Sequence, residues 1–155
     1  MLTNSLESAR INQEDMQDAI LKKHRPDLSL AHANPELVGE AVYDALNYMI
    51  HSWGYSHSKI AKLLRLPVST VNTWLRSKKV PFGKPPYTPV EDAVLQLIAI
   101  HRSLSAMFAD PRDQTAWLET PHPELGMTPA AKIEQSTEGL VYVRQYLDYI
   151  RGRGA

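Results

Sequence analysis

The chain contains no cysteine. Disulfides and thiolate metal sites are therefore excluded, and nothing points to secretion. No apolar run reaches the roughly 18 residues of a membrane span. The opening residues, MLTNSLESARINQEDM, lack the basic-then-apolar order of a signal peptide. These absences describe a soluble cytoplasmic protein. Alternating apolar–polar stretches are nearly missing too, while apolar residues recur at helical spacing, so an all-α fold is expected. Catalytic patterns are equally scarce. His24, His32, His51, His57, His101 and His122 are scattered, with no HExxH, no Gly-rich phosphate loop and no GxSxG. The expectation is a non-enzyme with no metal and no cofactor.

One absence is local. Between Ala45 and Val90 there is no Asp or Glu, whereas Lys59, Lys62, Arg65, Arg76, Lys78, Lys79 and Lys84 all fall there. The whole chain nevertheless balances 17 basic against 17 acidic residues, so both flanks are acidic. A basic block between acidic flanks is the footprint of a polyanion partner.

Punctuation divides the 155 residues into parts. Asn12 can cap a helix over Gln13 to His24, which Pro26 stops; residues 1–34 form an N-terminal helical extension. Pro35 opens a second helix, with Val38, Val42, Ala45, Leu46 and Met49 on one face and Gly54 beyond its end. Four prolines and a glycine in VPFGKPPYTP mark a linker at 81–89. Residues 35–80 then read as one unit and 90–155 as another. In the second unit a long helix spans about Val90 to Phe108. Asp110–Pro111 and Thr128–Pro129 each start a short helix. A last helix runs from about Thr137 to Arg151.

Within the basic block lies SHSKIAKLLRLPVSTVNTWLRSKK. Ile60, Leu64, Leu66, Val71 and Trp74 are spaced as the buried set of two short helices locked at a fixed angle, with Ala61 small enough to let them approach. Ser56 or Ser58 caps the first helix; Pro67 and Ser69 open the second. The stretch resembles the helix-turn-helix of Xre-like regulators. That motif usually has glycine where this chain has Arg65, a substitution that costs on the order of 1 kcal/mol if φ is positive. With Val71, Trp74 and Leu75 inward, Ser69, Asn72, Thr73 and Arg76 face out. Asn and Arg pair bidentately with adenine and guanine edges. Ser58, Lys59, Lys78 and Lys79 are then the phosphate contacts.

The second half carries PRDQTAWLETPHPELGMTPAAKI. A helix ending in Trp-Leu, a Pro-rich loop with Leu-Gly, and Thr-Pro opening the next helix resemble the toxin-binding domain of Xre/MbcA/ParS antitoxins. A Gly and a terminal helix follow, here Gly139 and Leu140, Val143, Leu147 and Ile150. The resemblance implies a type II antitoxin. Its partner is then a RES-type toxin that degrades NAD or transfers ADP-ribose, and the antitoxin covers the toxin's active site. It further implies a helix-turn-helix that binds operator DNA and represses its own operon, with a homodimer expected. On the last helix Tyr142, Tyr146 and Tyr149 make a stripe about 110° from the core face. Tyrosine is enriched at interfaces, although these rings can equally complete a wide core face. The ending RGRGA, with Arg151 and Arg153, is either a basic tail that threads into the toxin's cleft or a solvated terminus. Two other functions fit: a stand-alone repressor whose C-terminal helices dimerise, and an adaptor that no longer binds DNA.

Overall fold

The computed structural model describes residues 34–154, with side chains as far as Gly152. The expected helix Gln13–His24 and the side chain of Arg153 lie outside the described residues. Seven helices make up the described chain: α1 (Pro35–His51), α2 (His57–Leu64), α3 (Val68–Ser77), α4 (Pro89–Met107), α5 (Pro111–Glu119), α6 (Pro129–Gln135) and α7 (Thr137–Gly154). Among the described residues the only β pairing is an isolated bridge between His122 and Met127. The fold class is all-α.

Local chemistry sets most helix starts. Asn34, Ser56, Asp110 and Thr128 each accept a hydrogen bond from an otherwise orphaned N–H of the first turn, at Glu36, Lys59, Arg112 and Ala131. Of the two serines before α2, Ser56 is the cap. Thr88 and Glu91 form a reciprocal capping box at α4, which starts at Pro89, one residue earlier than its apolar pattern suggests. Pro67 caps α3 with no side-chain hydrogen bond.

Two helix ends depart from habit. Arg65 (φ 59°) and Lys78 (φ 57°) sit in the left-handed region where glycine is usual. At Arg65 the geometry is the one anticipated for the turn. Its N–H reaches Lys62 O, and Leu66 N–H reaches Ala61 O at 2.9 Å, so the orphan carbonyls of α2 are satisfied.

Helix α4 is the axis of the molecule. Every residue from Ala93 to His101 is buried, because α1, α2, α5 and α7 surround it. Leu97, Ile100 and Leu104 are almost wholly excluded from solvent. One apolar core runs from Val38, Leu46 and Met49 of α1 through Ile60 and Val71 to Ile133, Val143 and Leu147. Two glycines allow close backbone approach. A β-carbon at Gly39 would strike the carbonyl of Val80, and one at Gly139 would strike the carbonyl of Lys132, where α6 meets α7.

Buried polar contacts hold α1 and α2 onto the C-terminal helices. Gln114 is 2 % exposed. Its Oε1 accepts from Trp53 Nε1 (2.7 Å) and Tyr48 Oη (3.2 Å), and its Nε2 donates to Phe108 O (2.8 Å). Beside α2, Lys59 Nζ pairs with Glu134 at 3.1 Å and Glu119 at 3.6 Å, over the ring of Tyr55. Tyr55 donates its hydroxyl to Glu119, and Arg65 donates to Gln135 O. Burial first, and then the Glu119 charge, push the Tyr55 phenol up, so it stays a donor.

Candidate functional site

Two surfaces collect the residues singled out in the sequence. The first is the outer side of α7. Leu140, Val143 and Leu147 face the core, which turns positions 142, 146 and 149 outward in one row. Tyr142 is 48 % and Tyr149 58 % exposed, so those two rings do not complete the core face. Tyr146, between them, is half-buried. It stacks on Trp117 with ring centres 6.3 Å apart and donates its hydroxyl to Glu124 at 3.2 Å. Partial burial and then that carboxylate raise the Tyr146 phenol above its ordinary value.

The tyrosines line shallow grooves. One of about 320 Å³ is bounded by Glu124, Tyr142, Gln145, Tyr146 and Tyr149. A second, about 260 Å³, lies across Tyr142 and Gln145 and reaches Val141, Glu138 and Thr137. Lys132 Nζ sits 5.3 Å from the Tyr142 ring centre and holds it from one side. The surface is thus aromatic and mostly rigid, with carboxylates at its edges. Val141, Gln145, Glu124, Glu138 and Lys132 were not visible as members of it in the sequence. Helical spacing from Tyr142 would have found Glu138 and Gln145, but Glu124 and Lys132 arrive from other elements.

The end of the chain is not a loose tail beginning at Arg151. Helix α7 continues to Gly154. Arg151 is half-buried and donates to Ser103 Oγ of α4 at 3.1 Å. Two turns earlier Arg144, 4 % exposed, donates to Asp148 at 2.6 Å. Burial pushes the Asp148 carboxyl up, against the opposing pull of Arg144 and Arg151. Arg151 is thus used in seating α7 on α4, and the helix runs on through Gly152 to Gly154.

The second surface is the outer side of α3. Ser69, Asn72, Thr73 and Arg76 fall in one row at i, i+3, i+4 and i+7. Ser69, Thr73 and Arg76 are exposed and Asn72 is half-buried, while Val71 and Trp74 point into the core. Thr73 donates to Ser69 O at 3.0 Å, and Asn72 Oδ1 lies 2.7 Å from His57 Nδ1 at the start of α2. Lys78 is exposed at the end of α3, and Lys79 pairs with Glu36 at 3.1 Å while remaining 45 % exposed. Ser58 is exposed on α2. Lys59 does not join them: its ammonium is turned to Glu134 and Glu119. The other histidines have local settings. His101 is buried against Tyr48 and Trp53, and His122 packs on Trp117.

Among the described residues no helix is long and apolar enough to cross a membrane. Residues 103–153 match the antitoxin Xre/MbcA/ParS C-terminal toxin-binding domain family. The match spans about a third of the chain, from the end of α4 to nearly the end of α7, and includes the whole tyrosine surface. It supports an antitoxin role and implies a toxin partner. No curated protein matches the chain.

Proposed function

We propose that this chain is the antitoxin of a type II toxin–antitoxin module. In this reading the outer face of α7 docks on a RES-type, NAD-degrading or ADP-ribosyl-transferring toxin and covers its active site. The α2–α3 pair is a helix-turn-helix that binds operator DNA and represses the module's own operon as a homodimer. The protein has no catalytic role and works in the cytoplasm. The observation that carries the toxin-binding part is the outward row of Tyr142, Tyr146 and Tyr149, with Tyr142 and Tyr149 exposed, inside the matched segment. Exposed aromatics on a rigid helix supply contact area at little entropic cost, which is what interface anchors need.

The DNA-binding part is supported by charge and by the face of α3. Arg76, Lys78 and Lys79 stand at one end of a row of Ser69, Asn72 and Thr73, with no exposed carboxylate on α2 or α3. Lys59 is left out of the phosphate contacts because it is paired within the protein.

The test is co-expression with the product of the adjacent gene, followed by co-purification and growth rescue with measurement of cellular NAD. Tyr142→Ala should weaken the complex by more than about 1 kcal/mol if the ring is an anchor, with thermal stability unchanged. Failure of the intact chain to bind or rescue would favour a stand-alone repressor.

A further inference from the structure

The larger groove on the tyrosine surface carries a negative charge. Glu124 lines it together with Tyr142, Gln145, Tyr146 and Tyr149. A pinned turn sets the carboxylate there. His122 N–H donates to Met127 O, Leu125 N–H donates to His122 O, and the Leu125 side chain is buried. The carboxylate accepts one hydrogen bond, from Tyr146 Oη at 3.2 Å. A carboxylate has about four lone-pair sites, so it can accept more. Among the described residues no Lys, Arg or His forms an ion pair with it. The same surface already holds one cation, since Lys132 Nζ lies over the Tyr142 ring.

These facts restrict what can fill the groove. An apolar side chain would strip water from Glu124 and leave the charge uncompensated, which is costly. A second carboxylate would be repelled. The group that satisfies both the rings and the charge has an apolar stem and a cationic head. Arginine fits better than lysine. Its guanidinium is more weakly hydrated, packs flat on aromatic rings and matches a carboxylate with a fork of N–H donors. The groove, about 320 Å³, is at the small end of ligand pockets, so one side chain is the unit it takes.

We propose that this groove receives one arginine side chain of the partner protein, its stem against the tyrosines and its guanidinium on Glu124. This rests on the toxin-binding reading given above and adds the chemistry that the partner must present.

The experiment measures the affinity of the full chain for the purified product of the adjacent gene by titration calorimetry. Glu124→Gln removes the charge but keeps the size and a carbonyl that can accept from Tyr146. Thermal melting confirms that the variant folds as wild type. Each surface arginine of the partner is changed to glutamine in turn and combined with Glu124→Gln. Glu124→Gln should weaken binding on the order of ten-fold or more. One partner Arg→Gln should weaken it similarly, and the two losses should not add. An apolar occupant gives the opposite sign, because Glu124→Gln would then bind as tightly as wild type or tighter. That result, or additivity with every partner arginine, overturns the proposal while leaving toxin binding intact. A second copy of this chain as the source of the cation would appear as self-association that Glu124→Gln abolishes, and overturns it as well. If wild type does not bind the adjacent product at all, the toxin reading itself fails and the proposal with it.

Discussion

Gln114 is the residue whose loss should separate the molecule's two ends most sharply. It is wholly buried, and its side chain satisfies Trp53 Nε1, Tyr48 Oη and Phe108 O. Gln114→Leu keeps an apolar group of similar size but removes all three contacts. Tyr48 is half-buried and can exchange its bond for water. Trp53 Nε1 and Phe108 O are left without a partner, at about 1–3 kcal/mol for each buried group, with the part-buried carbonyl at the low end. The expected cost is about 2–4 kcal/mol. For a chain of this size that corresponds to a fall in Tm of roughly 4–16 °C.

The assay is thermal unfolding followed in parallel by far-UV circular dichroism and tryptophan fluorescence. Because one core runs through all seven described helices, the two signals should coincide in wild type. A double-mutant cycle supplies the decisive measurement. In a Trp53→Phe background the buried indole N–H is already gone, so Gln114→Leu should cost about 1 kcal/mol or more less than it does alone. A Gln114→Leu variant within about 0.5 kcal/mol of wild type, or strict additivity in the cycle, would refute the reasoning.

Three other perturbations have signs that the structure decides. Gly139→Ala would raise stability by up to about 1 kcal/mol on an exposed helix, but here the methyl meets the Lys132 carbonyl, so Tm should fall by the equivalent of about 1–3 kcal/mol. Lys78→Gly should relieve the left-handed strain at φ 57° for a net gain of about 0.5–1 kcal/mol after the added unfolded-state entropy, while lowering the log–log salt slope of DNA binding by about 1. Desolvation pushes the Glu91 carboxyl up, but bonds from the Gly83 and Thr88 backbone N–H groups outweigh it and hold its pKa below the ordinary value. Its stabilising contribution is therefore present above the unfolded carboxylate pKa and lost as pH falls through the lower, folded one. The Tm difference between wild type and Glu91→Gln should be small, present at neutral pH, and vanish in acid.

Local information explains what was legible. The helix caps at Asp110 and Thr128, and the face of α1, follow from residue types and 3.6-residue spacing alone, and they appear where they were expected. The capping box at α4 was equally readable, since Thr88 and Glu91 stand three apart. The left-handed Arg65 was legible as a strained turn, but its hydrogen bond to Gln135 O, seventy residues on, was not. Gln114 looked like one more polar residue on a short helix, because nothing nearby in sequence announces Trp53 or Tyr48.

Lys59 shows why charge was the least transferable signal. Its place in a block without acids made it a phosphate contact by composition. A charge count has no direction, however, and the long lysine side chain can turn either way along its helix. The acids that claim it, Glu119 and Glu134, come from the end of α5 and from α6, both outside the basic block. With the side chain about one-quarter exposed and its ammonium held by two carboxylates over the Tyr55 ring, moving it to a phosphate would strand Glu134 in a half-buried setting. The same contact joins α2, which precedes the outward row of α3, to α6, which meets α7 at Gly139. The block's net charge was real, but two of its seven members, Lys59 and Arg65, serve the joint between α2 and the C-terminal helices.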